Sequence, residues 1–208
     1  MNGGLIVREL GRRDYESVWK EMQDFTKSRD ESTVDELWFV EHPPVYTQGV
    51  SGKAEHVLDP HGIPVIQSNR GGQVTYHGPG QIVAYVLFDL RRKKMGVRDL
   101  VSQLENAVID LLKSYGVAAA ARKDAPGVYV EGAKVAALGL RVSQGCSYHG
   151  LALNVDMDLM PFQWINPCGY KELKVTQLRD LGIQDTIRQV KDKLLGVLTS
   201  NMGYTTRT

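Results

Sequence analysis

Apolar positions recur at helical spacing in three stretches, with short strand-like runs between them. Tyr15, Val18, Trp19, Met22 and Phe25 follow one another at three- and four-residue intervals behind Asp14. This pattern predicts an amphipathic helix capped by Asp14, whose stripe reads as core packing and not as a site. A second helix is expected over 98–115, with Val101, Leu104, Val108, Leu111 and Leu112 inward and Gly116 just past its end. A third closes the chain behind Thr186 or Asp185, burying Ile187, Val190, Leu194, Val197 and Leu198.

Strand patterns fill 37–40, 63–67, 82–87, 128–130, 134–143 and 148–155. The last three read as a meander over 127–154, turned at Glu131-Gly132 and again at Ser143-Gln144-Gly145. Lys134 then falls near the start of a sheet strand. With no repeat, linker or low-complexity tract, the expected fold is α+β: a single domain over 1–208, its sheet mixed or mostly antiparallel and flanked by helices.

A chain of 208 residues, 42% hydrophobic and 24% charged, is long enough for one sizeable core. Its 25 Lys and Arg nearly balance 24 Asp and Glu, so no global field attracts nucleic acid. The dense basic run Arg91, Arg92, Lys93 and Lys94 reads either as a solvated turn or as a landing site for an acidic partner. No apolar run approaches the roughly 18 residues that cross a bilayer, and residues 1–5 lack a signal-peptide pattern. A soluble cytoplasmic protein is expected, with its two cysteines as thiols.

The segment Arg70, Gly71, Gly72, Gln73, Val74, Thr75, Tyr76, His77, Gly78, Pro79, Gly80 and Gln81 interleaves glycines with hydrogen-bonding side chains. Such glycine density suits a main chain pressed against a ligand. It lacks both the Gly-x-Gly-x-x-Gly pattern and a phosphate-loop lysine, so Arg70 is expected to meet a phosphate or carboxylate instead. Cys168 lies in the aperiodic stretch Asn166-Pro167-Cys168-Gly169, where a reactive group would reach substrate. Cys146 reads as a small buried hydrophobe at a turn. Lys134, in Gly132-Ala133-Lys134-Val135 and followed by Ala136, Ala137 and Leu138, is expected beside a wall of low polarity. A zinc site drawn from Cys146, His149 and Cys168 has half a motif's spacing, and no metal is expected.

These three stretches resemble the octanoyltransferase family, over about 41–178. The resemblance implies the biotin and lipoate protein ligase fold, and octanoyl transfer from acyl carrier protein to a lipoyl-domain lysine through a thioester on Cys168. It implies Lys134 as the partner of Cys168. It implies substrate binding by Arg70 to His77, by Ala137, Leu138 and Gly139, and by Gly150, Leu151 and Ala152, with His149 supporting the site. The partners implied are octanoyl-acyl carrier protein, the lipoyl domains of 2-oxoacid dehydrogenase E2 subunits and the glycine cleavage H protein. No cofactor is expected, since the acyl group arrives on phosphopantetheine. An ATP-dependent lipoate or biotin ligase and a non-catalytic carrier-binding protein are the alternative readings. A cationic neighbour lowers a thiol's pKa from about 8.5 toward 6.5. The gain in thiolate is nearly offset by lower intrinsic nucleophilicity, so Lys134 is also expected to shuttle protons.

Overall fold

The computed structural model describes residues 4–170 and 173–206, apart from the side chains of Cys168, Thr205 and Thr206. Alternation builds the centre of the main sheet. Along β2 (Asp35–Glu41) and β6 (Gln81–Leu87), Leu37, Phe39, Ile82, Ala84 and Val86 point to one side, while Trp38, Val40, Val83, Tyr85 and Leu87 point to the other. Both sides are covered, so these strands read as nearly continuous apolar runs. The first side packs on α2 (Val97–Ser114) and α3 (Ile187–Asn201), and the second on α1 (Tyr15–Ser28).

The remaining strands are β1 (Gly4–Arg12), β3 (Val45–Gln48), β4 (Val65–Gln67), β5 (Val74–His77), β7 (Ala120–Ala121), β8 (Gly127–Val130), β9 (Ala133–Ser143), β10 (Cys146–Asn154) and β11 (Thr205–Thr206). They form an eight-stranded sheet in the order β11-β1-β2-β6-β10-β9-β8-β7 and a three-stranded sheet, β4-β3-β5. In the larger sheet β1 runs parallel to β2 and to β11, and the other neighbours are antiparallel. The fold is thus α+β with a mixed sheet, and the expected meander is β8-β9-β10. Its turns carry positive φ at Glu131 and Gly132 and at Gln144 and Gly145, as two-residue hairpin loops require.

Helix ends follow local chemistry. Thr186 caps α3 in a reciprocal pair with Gln189. Asp14 holds the N-cap position of α1, yet its side chain makes no capping bond; Ser17 Oγ donates to its carbonyl instead. The basic run is half structural. Arg92 pairs with Asp35 at 2.6 Å, and Lys93 donates to the Met202 carbonyl beneath the Tyr204 ring. Arg91 and Lys94 remain exposed. Among the described residues no helix is long and apolar enough to cross a membrane.

Candidate active site

Small residues in register open a cleft on the α1 side of the sheet. On β10, Gly150 and Ala152 face Gly139 and Ala137 of β9 and Tyr85 and Val83 of β6. Over this row lies the loop 70–73, tied down by the Gly71 N–H to the Leu140 carbonyl at 2.9 Å. A Cβ on Gly139 would stand 2.9 Å from the Gly71 carbonyl oxygen, so glycine is what lets loop and strand approach. The space enclosed is about 480 Å3 with its open mouth included, and Leu138, Leu151, Val74 and Thr75 complete its walls.

Arg70 holds the loop from inside, at 8% exposure. Its guanidinium donates to Thr47 Oγ1 at 3.0 Å and to the carbonyls of Thr47, Gly71 and Gln73. The side chain expected to meet a phosphate or carboxylate therefore shapes the cleft. Tyr76 alternates away from the cleft and packs with Tyr46 and Phe162 under the small sheet. Gly71 lines only the outer opening.

The inner end is polar, and its titratable rings are uncharged beside the fixed charge of Arg70. Tyr15, Tyr85, His77 and His149 line it, with His42 behind. Burial, then His42 and Arg70, pushes His77 down to about 3; burial likewise brings His42 to about 4. Gln81 donates through Nε2 to Asn154 Oδ1, so its Oε1 accepts from His77 Nδ1 at 2.7 Å. The other nitrogen, Nε2, lies 3.3 Å from Thr47 Oγ1. His77 is thus engaged at both nitrogens and is poorly placed as a base. Tyr15 is a correction: the α1 stripe is core, but its first member lines the cleft, its hydroxyl 2.7 Å from Ser68 Oγ.

The outer opening shares Gly72, Gln73, Leu138 and Gly139 with the inner slot and continues past Pro126, Gly169 and Tyr170. Lys134 stands beside it, near the start of β9 and 3% exposed. Its ammonium donates to the Pro126 carbonyl at 3.0 Å and lies 5.1 Å from the Tyr129 ring centre. A Cβ on Gly127, where φ is +146°, would stand 2.7 Å from the Ala136 carbonyl oxygen and 3.0 Å from Nζ, so this glycine makes room for both the paired strand and the ammonium. Behind it, Glu105 of α2 accepts the Gly127 N–H at 2.9 Å; burial raises its pKa against that bond and the charge of Lys134.

Cys168 sits in the single turn Pro167–Gly169, and its thiol lies outside the described atoms. The turn is anchored by the Asn166 N–H to the His56 carbonyl at 2.8 Å and by the Tyr170 hydroxyl to the Asp124 carbonyl at 3.0 Å. Just beyond, residues 174–176 bridge to Lys134: its N–H donates to the Lys174 carbonyl, and its carbonyl accepts from the Thr176 N–H. Cys146 is buried at the far end of β10 with its thiol pKa raised by that burial. It does not join His149, whose Nε2 is bonded to Asn69.

The chain matches the model of the lipoyl protein ligase A/B catalytic domain over residues 14–199. It is 61% identical to the octanoyltransferase of Pseudomonas fluorescens over 208 residues, covering 100% of this chain and 97% of that one. With the octanoyltransferase of Vibrio atlanticus it shares 59% over 204 residues, 98% and 93% of the two chains. The chain belongs to the octanoyltransferase family. A lipoate-protein ligase A bound with ATP superposes with a TM-score of 0.79 at 18% identity, over 100% of this chain and 90% of that one, a likeness of fold. As an octanoyltransferase the protein is an acyltransferase of lipoate biosynthesis, and the expected fold and octanoyl transfer stand.

Several residues around the octanoyltransferase cleft carried weak signals in the sequence. Glu105 is a carboxylate on the apolar face of α2, flanked by Leu104 and Val108. That breach of pattern was readable. His56, whose Nε2 would lie 3.3 Å from a Cβ on Gly169, carries no such mark. Asn69, which holds Trp19, Tyr148 and His149 together, sits one residue before the glycine-rich segment that attracts attention.

Proposed function

We propose that this octanoyltransferase takes its acyl group from octanoyl-acyl carrier protein, holds it as a thioester on Cys168 and delivers it to a lipoyl-domain lysine. The observation that carries this reading is Lys134: a buried ammonium fixed by the Pro126 carbonyl, beside an opening whose wall includes the turn bearing Cys168.

In the first half-reaction the Cys168 thiolate attacks the carrier thioester carbon. The bond from that carbon to the carrier sulfur breaks, and the departing thiolate takes a proton from Lys134. Backbone N–H groups at the opening stabilise the developing oxyanion. In the second, the acceptor amine attacks the acyl-enzyme, Lys134 receives the amine's proton, and Cys168 leaves as thiolate. The thioester supplies the activation, so neither ATP nor a cofactor is needed. Each buried methylene of the chain contributes about 0.8 kcal/mol to binding. Carrier and lipoyl domains, including those of 2-oxoacid dehydrogenases and the H protein, are the partners this chemistry requires.

The test is intact mass after incubation with octanoyl-carrier protein without ATP. A single octanoyl adduct mapping to Cys168, discharged by an apo lipoyl domain, is expected. Incorporation of free octanoate only when ATP is present would replace this reading with an adenylating ligase.

A further inference from the structure

His149 departs from its strand in two ways. It has φ +62° within β10, a left-handed conformation uncommon for any residue with a side chain, though histidine enters it more readily than most. Consecutive strand residues normally face opposite sides, yet Tyr148 and His149 stack with ring centres 5.0 Å apart. The backbone turn brings the imidazole onto the cleft side, where it also stacks on Tyr15. Such strain marks positions where conformation serves a ligand.

Neighbouring groups settle the ring's proton. The Trp19 indole N–H, which can only donate, reaches Asn69 Oδ1 at 3.0 Å, while Asn69 Nδ2 donates to the Tyr148 hydroxyl at 2.7 Å. The amide oxygen therefore faces His149 Nε2, also at 3.0 Å, and Nε2 must be the donor. Burial, with Arg70 and His77 nearby, pushes the ring's pKa down to about 3, so it is neutral. Nδ1 is left as a bare lone pair. It is buried and has no hydrogen-bond partner among the described residues, whereas His77 and His42 are engaged at both nitrogens.

His149 lines the inner slot but not the outer opening, so its ring stands at the inner end; Nδ1 is closed over there, and a donor reaches it where the neighbouring rings part. An unmodified octanoyl chain has no donor to offer it. A cation there would be desolvated close to the Arg70 guanidinium, which favours a neutral O–H. Resting on the reading of this cleft as the acyl slot, we propose that His149 Nδ1 forms a subsite for an O–H donor at its deep end. The donor is either a hydroxyl near the distal end of a medium-length acyl chain or a water held beneath an unmodified chain. His149 is then a specificity-determining residue.

Equimolar octanoyl-, 7-hydroxyoctanoyl- and 8-hydroxyoctanoyl-carrier proteins, competing for the enzyme, would be read as acyl-enzyme masses in wild type, His149→Phe and His149→Asn. If the hydroxyl is the donor, a hydroxylated chain loads as well as octanoyl in wild type. Its share then falls about tenfold in His149→Phe and is partly restored in His149→Asn, which keeps an acceptor and tolerates positive φ. If water is the donor, octanoyl leads in wild type, while His149→Phe shifts the optimum to ten- or twelve-carbon chains in a parallel ladder. Equal ratios and equal chain-length order in wild type and His149→Phe overturn the proposal. A second measurement needs no variant and no turnover: 15N spectra of the wild-type imidazoles with free octanoic or 8-hydroxyoctanoic acid. An Nδ1 resonance at a hydrogen-bonded position, alone or with the hydroxy acid, supports the subsite; a bare one in every sample refutes it. Absence of any adduct on the wild-type enzyme would count against Cys168 chemistry, leaving the 15N result to decide the subsite.

Discussion

The two ends of the cleft handle polarity in opposite ways. At the opening, ionisable groups stand close together: the Lys134 ammonium on the Pro126 carbonyl, and Glu105 behind Gly127. At the inner end the titratable rings of His42, His77 and His149 are all held neutral by burial, and their contacts are dipolar. An acyl chain seated between them meets neutral rings at the inner end, beside an Arg70 guanidinium that is turned onto Thr47 and the carbonyls of Gly71 and Gln73. The contrast teaches that burial alone does not select charge or neutrality. A backbone carbonyl aimed at a cation offsets its burial, whereas the bonds that Gln81 and the Arg13 carbonyl make to His77 and His42 favour the charged rings and are outweighed by burial.

Breaking the charged end should have the largest effect. Lys134→Arg keeps the positive charge but cannot deliver a proton, and both half-reactions in single-turnover assays should slow by about 10²- to 10⁴-fold. Unchanged rates would reduce Lys134 to an electrostatic role. Gly127→Ala puts a Cβ 2.7 Å from the Ala136 carbonyl oxygen and 3.0 Å from Lys134 Cε and Nζ, at a φ of +146°, so the strand pair and the ammonium must both shift. A displacement near 1 Å at a reacting group loses about 10²-fold, so kcat should fall to that extent, accompanied by a lower melting temperature.

The two ends should also respond oppositely to pH. The unfolded chain binds histidine protons near pH 6.5, whereas the folded inner end resists them until about 4 and 3. Between those values the unfolded state carries more protons, so stability is full above about pH 6.5 and falls progressively as pH drops toward 4. Glu105 has a raised pKa, so its contribution weakens as pH rises through the ordinary carboxylate range. Thermal melts of His77→Gln should show a shallower acid loss, and a slope identical to wild type would remove that ring from the account. Tyr15→Phe should cost about 1 kcal/mol through the lost Ser68 contact, measurable by urea titration. The smallest effect is expected from reversing Arg91 and Lys94. Neither lines either cleft, and the carrier's KM should move less than about twofold.

The contrast between the ends also divides what the sequence made legible. The β8-β9-β10 meander, the three helices and the stretches around Arg70, Lys134 and Cys168 were readable because alternation, helical spacing and glycine density are local patterns. Strand β1 was not: its exposed residues interrupt the apolar run, and only pairing with β2 makes it a strand. Strand β5 hides within the glycine-rich segment for the same reason. Tyr15 shows a subtler limit. Periodicity reports that a side chain is turned inward, and cannot say whether it meets core or cleft. The left-handed backbone at His149 interrupts a strand pattern, and histidine's readiness to enter that region is too weak a signal to place it.

The bond from the Trp19 indole to Asn69 has a practical consequence. Asn69 is also the partner of His149, so an indole at the edge of α1 is linked through one amide to the deep end of the slot. Filling that end would alter the polarity and hydrogen bonding felt by the indole, making Trp19 a native optical reporter. The other two indoles sit elsewhere, Trp38 bonded to Glu36 and Trp164 beside the His61 ring. With those two replaced by phenylalanine, the emission of the unlabelled enzyme would follow an acyl chain arriving and departing in real time.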